Sequence, residues 1–198
     1  TKGNIVAIGD RECSVQRKHQ KIIEIAPACN LPERTRQAIT AAAKTLAEDV
    51  GYFSLGTFEF LVDAKSKNQE KFAFIETNAR LQVEHTVTEQ VTGVDLVQSQ
   101  IEIANGKTLQ DLNLSETPES RGVAIQARVN METLQGDGSV KPTTGKITAY
   151  DPPSGPGVRV DGFGYAGFFP STNYDSLLAK VIVHSPKSGL EEAAKKCA

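Results

Sequence analysis

From residue 76 the chain reads Glu76-Thr77-Asn78-Ala79-Arg80-Leu81-Gln82-Val83-Glu84-His85, with a polar side chain at every even position through Glu84. Ala79, Leu81 and Val83 between them are apolar. If the segment is extended, alternate side chains share a face, so two carboxylates, two amides and a guanidinium form one row. A solvated strand face uses Lys, Thr and Ser interchangeably. This row instead offers an Arg whose fork matches a planar oxyanion, a Gln amide beside it, and a further Glu. Arg80 and Gln82 suit an anion such as bicarbonate, and Glu84 is placed to take its proton.

A second carboxylate joins the row by strand pairing. Two aromatic-rich runs, Thr57-Phe58-Glu59-Phe60-Leu61-Val62 and Lys71-Phe72-Ala73-Phe74-Ile75-Glu76, flank a polar turn from Lys65 to Glu70 and read as a β-hairpin. With the turn centred between Lys67 and Asn68, Glu59 faces Glu76, Phe60 faces Ile75 and Leu61 faces Phe74. Opposed residues carry Cβ atoms roughly 4.5–5.5 Å apart. Either both glutamates point into water, or one takes up a proton, or a cation sits between them. Oxygen ligands on a rigid sheet suit Mg²⁺, whose other positions are filled by water and nucleotide phosphates.

Other elements must hold these groups in place. Ile39, Ala42, Ala43, Leu46, Ala47 and Val50 repeat at helical spacing between Leu31 and Gly51, with Pro32 in the first turn and Gly51 at the C-cap. A second helix is expected from about Asp95 to Ala104, with Val97, Ile101 and Ala104 on one stripe. The polar stretch from Ser115 to Arg121 marks a boundary. Beyond it strands are expected over Gly122 to Asn130, Lys146 to Tyr150, Val158 to Val160 and Leu177 to His184. The last ten residues read as the first turns of a helix. In the basic stretch Arg11 to Lys21, extended geometry would set His19 and Lys21 on one face as donors to phosphate, ribose or a small anion. A solvated surface explains the same residues equally simply.

Composition narrows the class. Twenty-two Lys and Arg against 24 Asp and Glu leave a formal charge of −2, too balanced to grip nucleic acid by charge alone. No apolar run approaches the roughly 20 residues of a membrane span. Three scattered cysteines, Cys13, Cys29 and Cys197, argue against a disulfide framework and a structural zinc site, and for a reducing compartment.

Together Arg11 to Lys21, Thr57 to Leu61, Phe74 to His85, Thr92-Gly93-Val94-Asp95-Leu96-Val97, Ala127-Arg128-Val129-Asn130, Pro142 to Thr148 and Tyr174-Asp175-Ser176-Leu177-Leu178 resemble the biotin carboxylase component of biotin-dependent carboxylases, which act on acyl-CoAs or pyruvate. The resemblance implies an α+β fold. Residues 1–114 would form the C-terminal half of an ATP-grasp domain, an antiparallel sheet with packed helices. Residues 115–198 would form the small strand-rich biotin carboxylase C-terminal domain, truncated at its C-terminus. The implied reaction uses ATP, Mg²⁺ (or Mn²⁺) and bicarbonate to make carboxyphosphate and carboxylate biotin on a carrier, the first half-reaction of an acyl-CoA carboxylase.

Carried over by motif, Glu59 and Glu76 resemble the metal ligands, with Asn78 beside them. Lys21, Arg80, Gln82 and Val83 resemble the bicarbonate pocket, and Glu84 the base that deprotonates bicarbonate. Arg128 resembles the group that stabilises the enolate of biotin; read alone, it is an Arg on a strand edge facing solvent with Gln126 and Asn130. Gln16, His19 and Leu61 resemble nucleotide contacts, with Leu178 at the adenine pocket. The implied partners are a biotin carboxyl carrier protein or domain, a carboxyltransferase and a second copy of the parent enzyme, with no nucleic acid and no membrane. The implied setting is the cytoplasm or the mitochondrial matrix.

Glu12, Thr77 and Thr86 stand where this family usually has Asp, Met and Pro. Two alternatives stay open: another ATP-grasp carboxylate–amine ligase, and a non-catalytic assembly module. The family's glycine-rich lid and its ATP-holding lysines have no counterpart in these residues, and Gly106-Lys107-Thr108 is no phosphate loop because Ile101 occupies the place of its first glycine. The isolated 198 residues are therefore expected to bind ATP weakly and turn over little. A steady-state ATPase assay with bicarbonate and biotin checks this, and a rate near that of a full-length enzyme contradicts it.

Overall fold

The structure, a computed structural model, describes residues 4–63, 71–171, 173–187 and 189–198. The chain divides into two compact units. One comprises the residues up to Glu12 together with Ala26–Arg121, and the other comprises Cys13–Ile25 and Gly122–Ala198. The stretch 13–25, which a linear division at residue 114 assigns to the first segment, therefore groups with the chain's C-terminal part.

Among the described residues the first unit holds three helices and a two-stranded sheet. Helix α1 (Glu33–Asp49) starts after Pro32, whose φ of −57° and ψ of 139° give it the extended geometry of a residue flanking a helix. It ends in a Schellman motif: Tyr52 N–H donates to Ala47 O and Gly51 N–H to Glu48 O, with Gly51 at φ 59°. Strands β3 (Thr57–Val62) and β4 (Phe72–Asn78) pair antiparallel. The turn expected over Lys65 to Glu70 lies outside the described residues. Helix α2 (His85–Thr92) closes on Gly93 at φ 73°. Helix α3 (Leu96–Ala104) is capped by Asp95, whose carboxylate accepts from Gln98 N–H.

The expected stripe on α3 is corrected. Val97 and Ile101 are 43% and 57% exposed, whereas Leu96 and Ile103 are buried. The apolar residues form one broad arc of this short helix, so periodicity alone does not select which edge of the arc is buried. The cluster of Ile103, Leu109 and Leu114, packed with Val6, Ile8, Val94 and Leu112, does.

The hairpin register is corrected in part. Glu59 does oppose Glu76, but Phe60 opposes Phe74 and Leu61 opposes Ala73. The register shifts by one residue between Glu59 and Phe60, leaving Ile75 as the unpaired residue of a bulge. Phe60 stacks edge-on against Phe72 and Phe74, with centroids 5.8 and 5.7 Å away. Strict alternation would put Glu76 on that aromatic face. The extra residue turns it to the opposite face, beside Glu59.

The second unit is built on a five-stranded sheet of β1 (Glu12–Arg17), β2 (Gln20–Ala26), β5 (Val123–Asn130), β8 (Val158–Gly162) and β9 (Leu177–Ser185), in the order β1-β2-β5-β9-β8. The turn between β1 and β2 is Lys18–His19, both at positive φ (48° and 65°), a conformation that matches hairpin twist. His19 thus sits in the turn, and the shared extended face expected for His19 and Lys21 does not form. A small hairpin of β6 (Glu132–Leu134) and β7 (Val140–Pro142) and helix α4 (Leu190–Cys197) complete the unit. Val123, Ile125, Val183 and Ala193 form its core, packed by Ile23, Ile25, Val158, Leu190 and Cys197.

Lys146 to Tyr150 is not a strand. Only Ile147 exchanges backbone hydrogen bonds, with Phe168 and Gly167, and Pro152 and Pro153 soon remove further donors. The Tyr150 ring instead packs over Gly162 and Gly164, where an added Cβ would lie 2.8 Å from it.

Glu132 ties three segments of this unit. Its carboxylate pairs with Arg17 and accepts from the Ser176 hydroxyl at 2.6 Å. Burial pushes the Glu132 carboxyl up, but the Ser176, Arg17 and Asn130 contacts outweigh it and hold the group below its ordinary value of 4.5. A carboxyl depressed by folding stabilises above its unfolded value, and that stability is lost as pH falls through the folded one. Urea denaturation as a function of pH should therefore show an acid-side loss of stability below about 4.5 that Glu132→Gln flattens. An unchanged acid limb in the variant contradicts the assignment.

Candidate functional site

The facing carboxylates of β3 and β4 are joined by amides. Asn78 Nδ2 donates to Glu59 Oε1 at 3.2 Å and to Glu76 Oε1 at 2.8 Å. Gln82 Nε2 donates to the same Glu59 oxygen at 2.8 Å. Arg80 Nη2 donates to Asn78 Oδ1 at 3.3 Å, and its Nη1 to Leu81 O at 3.2 Å. Five of the sequence-selected residues (Glu59, Glu76, Asn78, Arg80 and Gln82) thus form one connected cluster within the first unit.

The continuous extended row does not form. Strand β4 stops at Asn78, and residues 79–84 turn into α2. Gln82 O accepts from His85 N–H at 3.2 Å and lies 2.8 Å from His85 Nδ1, which fixes the turn. The polar residues therefore converge by chain reversal rather than by strand periodicity. Glu84 flanks the helix start and is only 2% exposed; Gln82 is 6% exposed, and Val83 lies between them.

The donor set fits a hard divalent cation. Two carboxylates and an amide carbonyl offer oxygen ligands, and turning the Asn78 amide over presents its Oδ1 where Nδ2 now bridges the glutamates. That bridging N–H pair supplies the positive compensation a cation would supply. Among the described residues no group of three or more His, Cys, Asp and Glu forms an all-protein cage. A Mg²⁺ ion held by so few protein oxygens would take its remaining ligands from water or phosphate.

Leu61 lies further along β3 and is 66% exposed. The other sequence-selected residues belong to the second unit. Gln16 is exposed on β1 and donates to Cys13 O at 2.9 Å. His19 is exposed in the β1–β2 turn, Lys21 is half-buried on β2, and Leu178 is half-buried near the start of β9.

Arg128 is not on a solvent-facing edge. It lies on β5, between β2 and β9, and its side chain is 15% exposed. Its Nε and Nη2 reach Glu24 Oε1 at 2.6 and 2.5 Å, while Gln126 Nε2 donates to Glu24 Oε2 at 2.8 Å. Glu24 and Gln126 are both fully buried. A buried charge survives only when paired and hydrogen-bonded, as here, and this pairing fixes the direction of the guanidinium.

Sequence reasoning missed Arg11. Its Nη1 donates to Thr88 Oγ1 at 3.0 Å, and its Nη2 donates to Thr57 Oγ1 and Gln82 Oε1, each at 3.1 Å. No local pattern marks it, because its partners lie 46 to 77 residues away.

Comparison with known proteins bears on both units. Residues 1–112 match the family described as carbamoyl-phosphate synthase L chain, ATP binding domain, and residues 126–198 match the biotin carboxylase C-terminal domain. Pyruvate carboxylase 1 of Caenorhabditis elegans is 52% identical over 195 residues, which cover 98% of this chain and 16% of that protein. The structure of a single-chain, multi-domain long-chain acyl-CoA carboxylase superposes with a TM-score of 0.90 at 50% identity, covering 96% of this chain and 20% of that one. The biotin carboxylase domain dimer of the Hydrogenobacter thermophilus 2-oxoglutarate carboxylase, in complex with MgADP, ADP and bicarbonate, gives 0.87 at 38% identity, covering 98% and 41%. The chain thus spans a minor part of the length of each.

The amide bridge generates a prediction. Asn78→Asp puts a third carboxylate on the pair and should cost about 1 kcal/mol of stability without divalent cation. Added Mg²⁺ should raise the melting temperature of the variant more than that of the parent. Equal Mg²⁺ responses in calorimetry would contradict a cation site at Glu59, Glu76 and residue 78.

Proposed function

Because this chain belongs to the biotin carboxylase family of biotin-dependent carboxylases, we propose that it supplies one side of an ATP-grasp site in which bicarbonate is activated by ATP and passed to biotin on a carrier protein. The observation that carries the reading is the Glu59–Asn78–Glu76 bridge with Gln82 locked onto it. Hard oxygen ligands and an amide donor next to one another match a site that must handle phosphate and bicarbonate together.

Each residue has a role set by its chemistry. Glu59, Glu76 and Asn78 would hold Mg²⁺ or Mn²⁺. When bound, that ion neutralises phosphate charge and orients the transferring group. Arg80 and Gln82, with the Val83 backbone, grip the bicarbonate oxygens by donation, and Lys21 of the second unit offers an ammonium donor of the same chemistry. Glu84 accepts the bicarbonate hydroxyl proton on its carboxylate, because bicarbonate attacks phosphorus poorly while protonated. The burial of Glu84 keeps that carboxylate away from bulk water.

Arg128, aimed by Glu24, holds the ureido oxygen of biotin. Gln16, His19 and Leu178 of the second unit, and Leu61 of the first, are the side chains assigned to the nucleotide in this proposal. The relatives take their names from pyruvate, long-chain acyl-CoA and 2-oxoglutarate. Carboxylation of biotin precedes the choice among such acceptors, and it is the step proposed here. The carboxyltransferase that makes the choice and a second copy of the enzyme are the further partners. Among the described residues no helix is long and apolar enough to cross a membrane.

Glu84→Gln in a full-length enzyme carrying this sequence should lower bicarbonate-dependent ATP hydrolysis by at least about 10²-fold, the usual scale for losing a general base. Nucleotide affinity by fluorescence titration should stay within a factor of about two, since Glu84 touches no nucleotide in this reading. Full carboxylation in the variant, with assembly lost instead, would make the chain an assembly module. ATPase activity that persists with a different carboxylate in place of bicarbonate would make it another ATP-grasp ligase.

A further inference from the structure

The carboxamide of Gln82 has two chemically distinct ends, and only one orientation serves the site. Its Oε1 accepts from Arg11 Nη2 at 3.1 Å, and its Nε2 donates to Glu59 Oε1 at 2.8 Å. A guanidinium offers only donors, and an ionised carboxylate only acceptors. With Arg11 on one side and Glu59 on the other, the amide therefore cannot turn over without setting donor against donor and acceptor against acceptor. Arg11 is itself held by two further bonds, to Thr57 at the start of β3 and to Thr88 in α2. Thr88 and Gln82 are both buried.

We propose that Arg11 is a positioning residue, which locks the Gln82 carboxamide with its N–H donors toward the carboxylate cluster and so sets the affinity of that cluster for bicarbonate. The inference rests on the reading of Gln82 as a bicarbonate ligand.

The geometry favours this role over a simple strut. A strut between Thr57 and Thr88 needs only the two hydroxyl contacts. The third contact reaches the one amide that also touches Glu59, and a charge-assisted bond there polarises Gln82 so that its Nε2–H becomes a stronger donor. Nε2 carries two hydrogens, and Glu59 is its only acceptor among the described residues. The second N–H is the donor that the bicarbonate reading of Gln82 requires. Lys cannot replace Arg fully, since an ammonium lacks the planar fork that spans Thr88, Thr57 and Gln82 together.

A double-mutant cycle in a full-length enzyme carrying this sequence provides the test, with steady-state KM for bicarbonate and for ATP measured separately. Arg11→Met should raise the bicarbonate KM roughly tenfold, the effect of losing one bond to a charged donor. The KM for ATP should change less than about twofold, and Arg11→Lys should fall between the parent and Arg11→Met. In a Gln82→Leu background, Arg11→Met should add nothing further, because the relay is already cut.

A rise of the same size in both backgrounds, or a joint loss of both KM values and thermal stability, would make Arg11 a strut and overturn the proposal. So would an unchanged bicarbonate KM in Arg11→Met and Arg11→Lys when Gln82→Leu raises it. If Gln82→Leu itself leaves the bicarbonate KM unchanged, the reading of Gln82 fails, and the relay through it fails with it.

Discussion

Glu59 and Glu76 stand opposite each other across two antiparallel strands, and the rest of the site answers to their mutual repulsion. Opposed like charges on a ladder destabilise it unless a donor or a cation compensates. Here the compensation is local and directional. Asn78 bridges the two carboxylates, Gln82 donates to one of them, and Arg80 and Arg11 stand behind the amides. Side chains from the approach to β1, the β3–β4 ribbon and the turn into α2 are thus fixed by one electrostatic requirement.

The bulge at Ile75 makes that requirement possible. Phe60, Phe72 and Phe74 take one face of the ribbon, and regular alternation would have sent Glu76 to join them. One extra residue moves Glu76 to the other side without disturbing the aromatic pairs. A single-residue deletion there would have the same consequence as a register slip, separating the two carboxylates by the thickness of the sheet. The second unit applies a comparable device to one cation, where fully buried Glu24 fixes Arg128 from a neighbouring strand.

Much of this was legible in the residues. The alternation of aromatic and acidic positions located the hairpin and opposed Glu59 to Glu76, because apolar faces must match. Helix α1 was marked by spacing and by Gly51, and the strands over 122–130, 158–160 and 177–184 by their β-branched content. Other features were hidden for definite reasons. A bulge leaves no local signature, so Phe60 and Leu61 were given the wrong partners. The reversal at residues 79–84 depends on His85 closing onto the Gln82 carbonyl, a contact that alternation cannot foresee. Lys146 to Tyr150 looked like a strand, but its pairing with the 167–168 segment stops at Ile147 and builds no ladder. Arg11 and Glu24 act across more than 40 and 100 residues respectively, beyond the reach of any window.

The ion proposed for the Glu59–Glu76 pair would be shared with a bound nucleotide. Electron paramagnetic resonance of Mn²⁺ titrated into a full-length enzyme with ADP present reads that ion directly. Glu59→Gln and Glu76→Gln should each weaken nucleotide-dependent Mn²⁺ binding by at least about tenfold, or ~1.4 kcal/mol. Mn²⁺ affinity equal to that of the parent in both variants would contradict it.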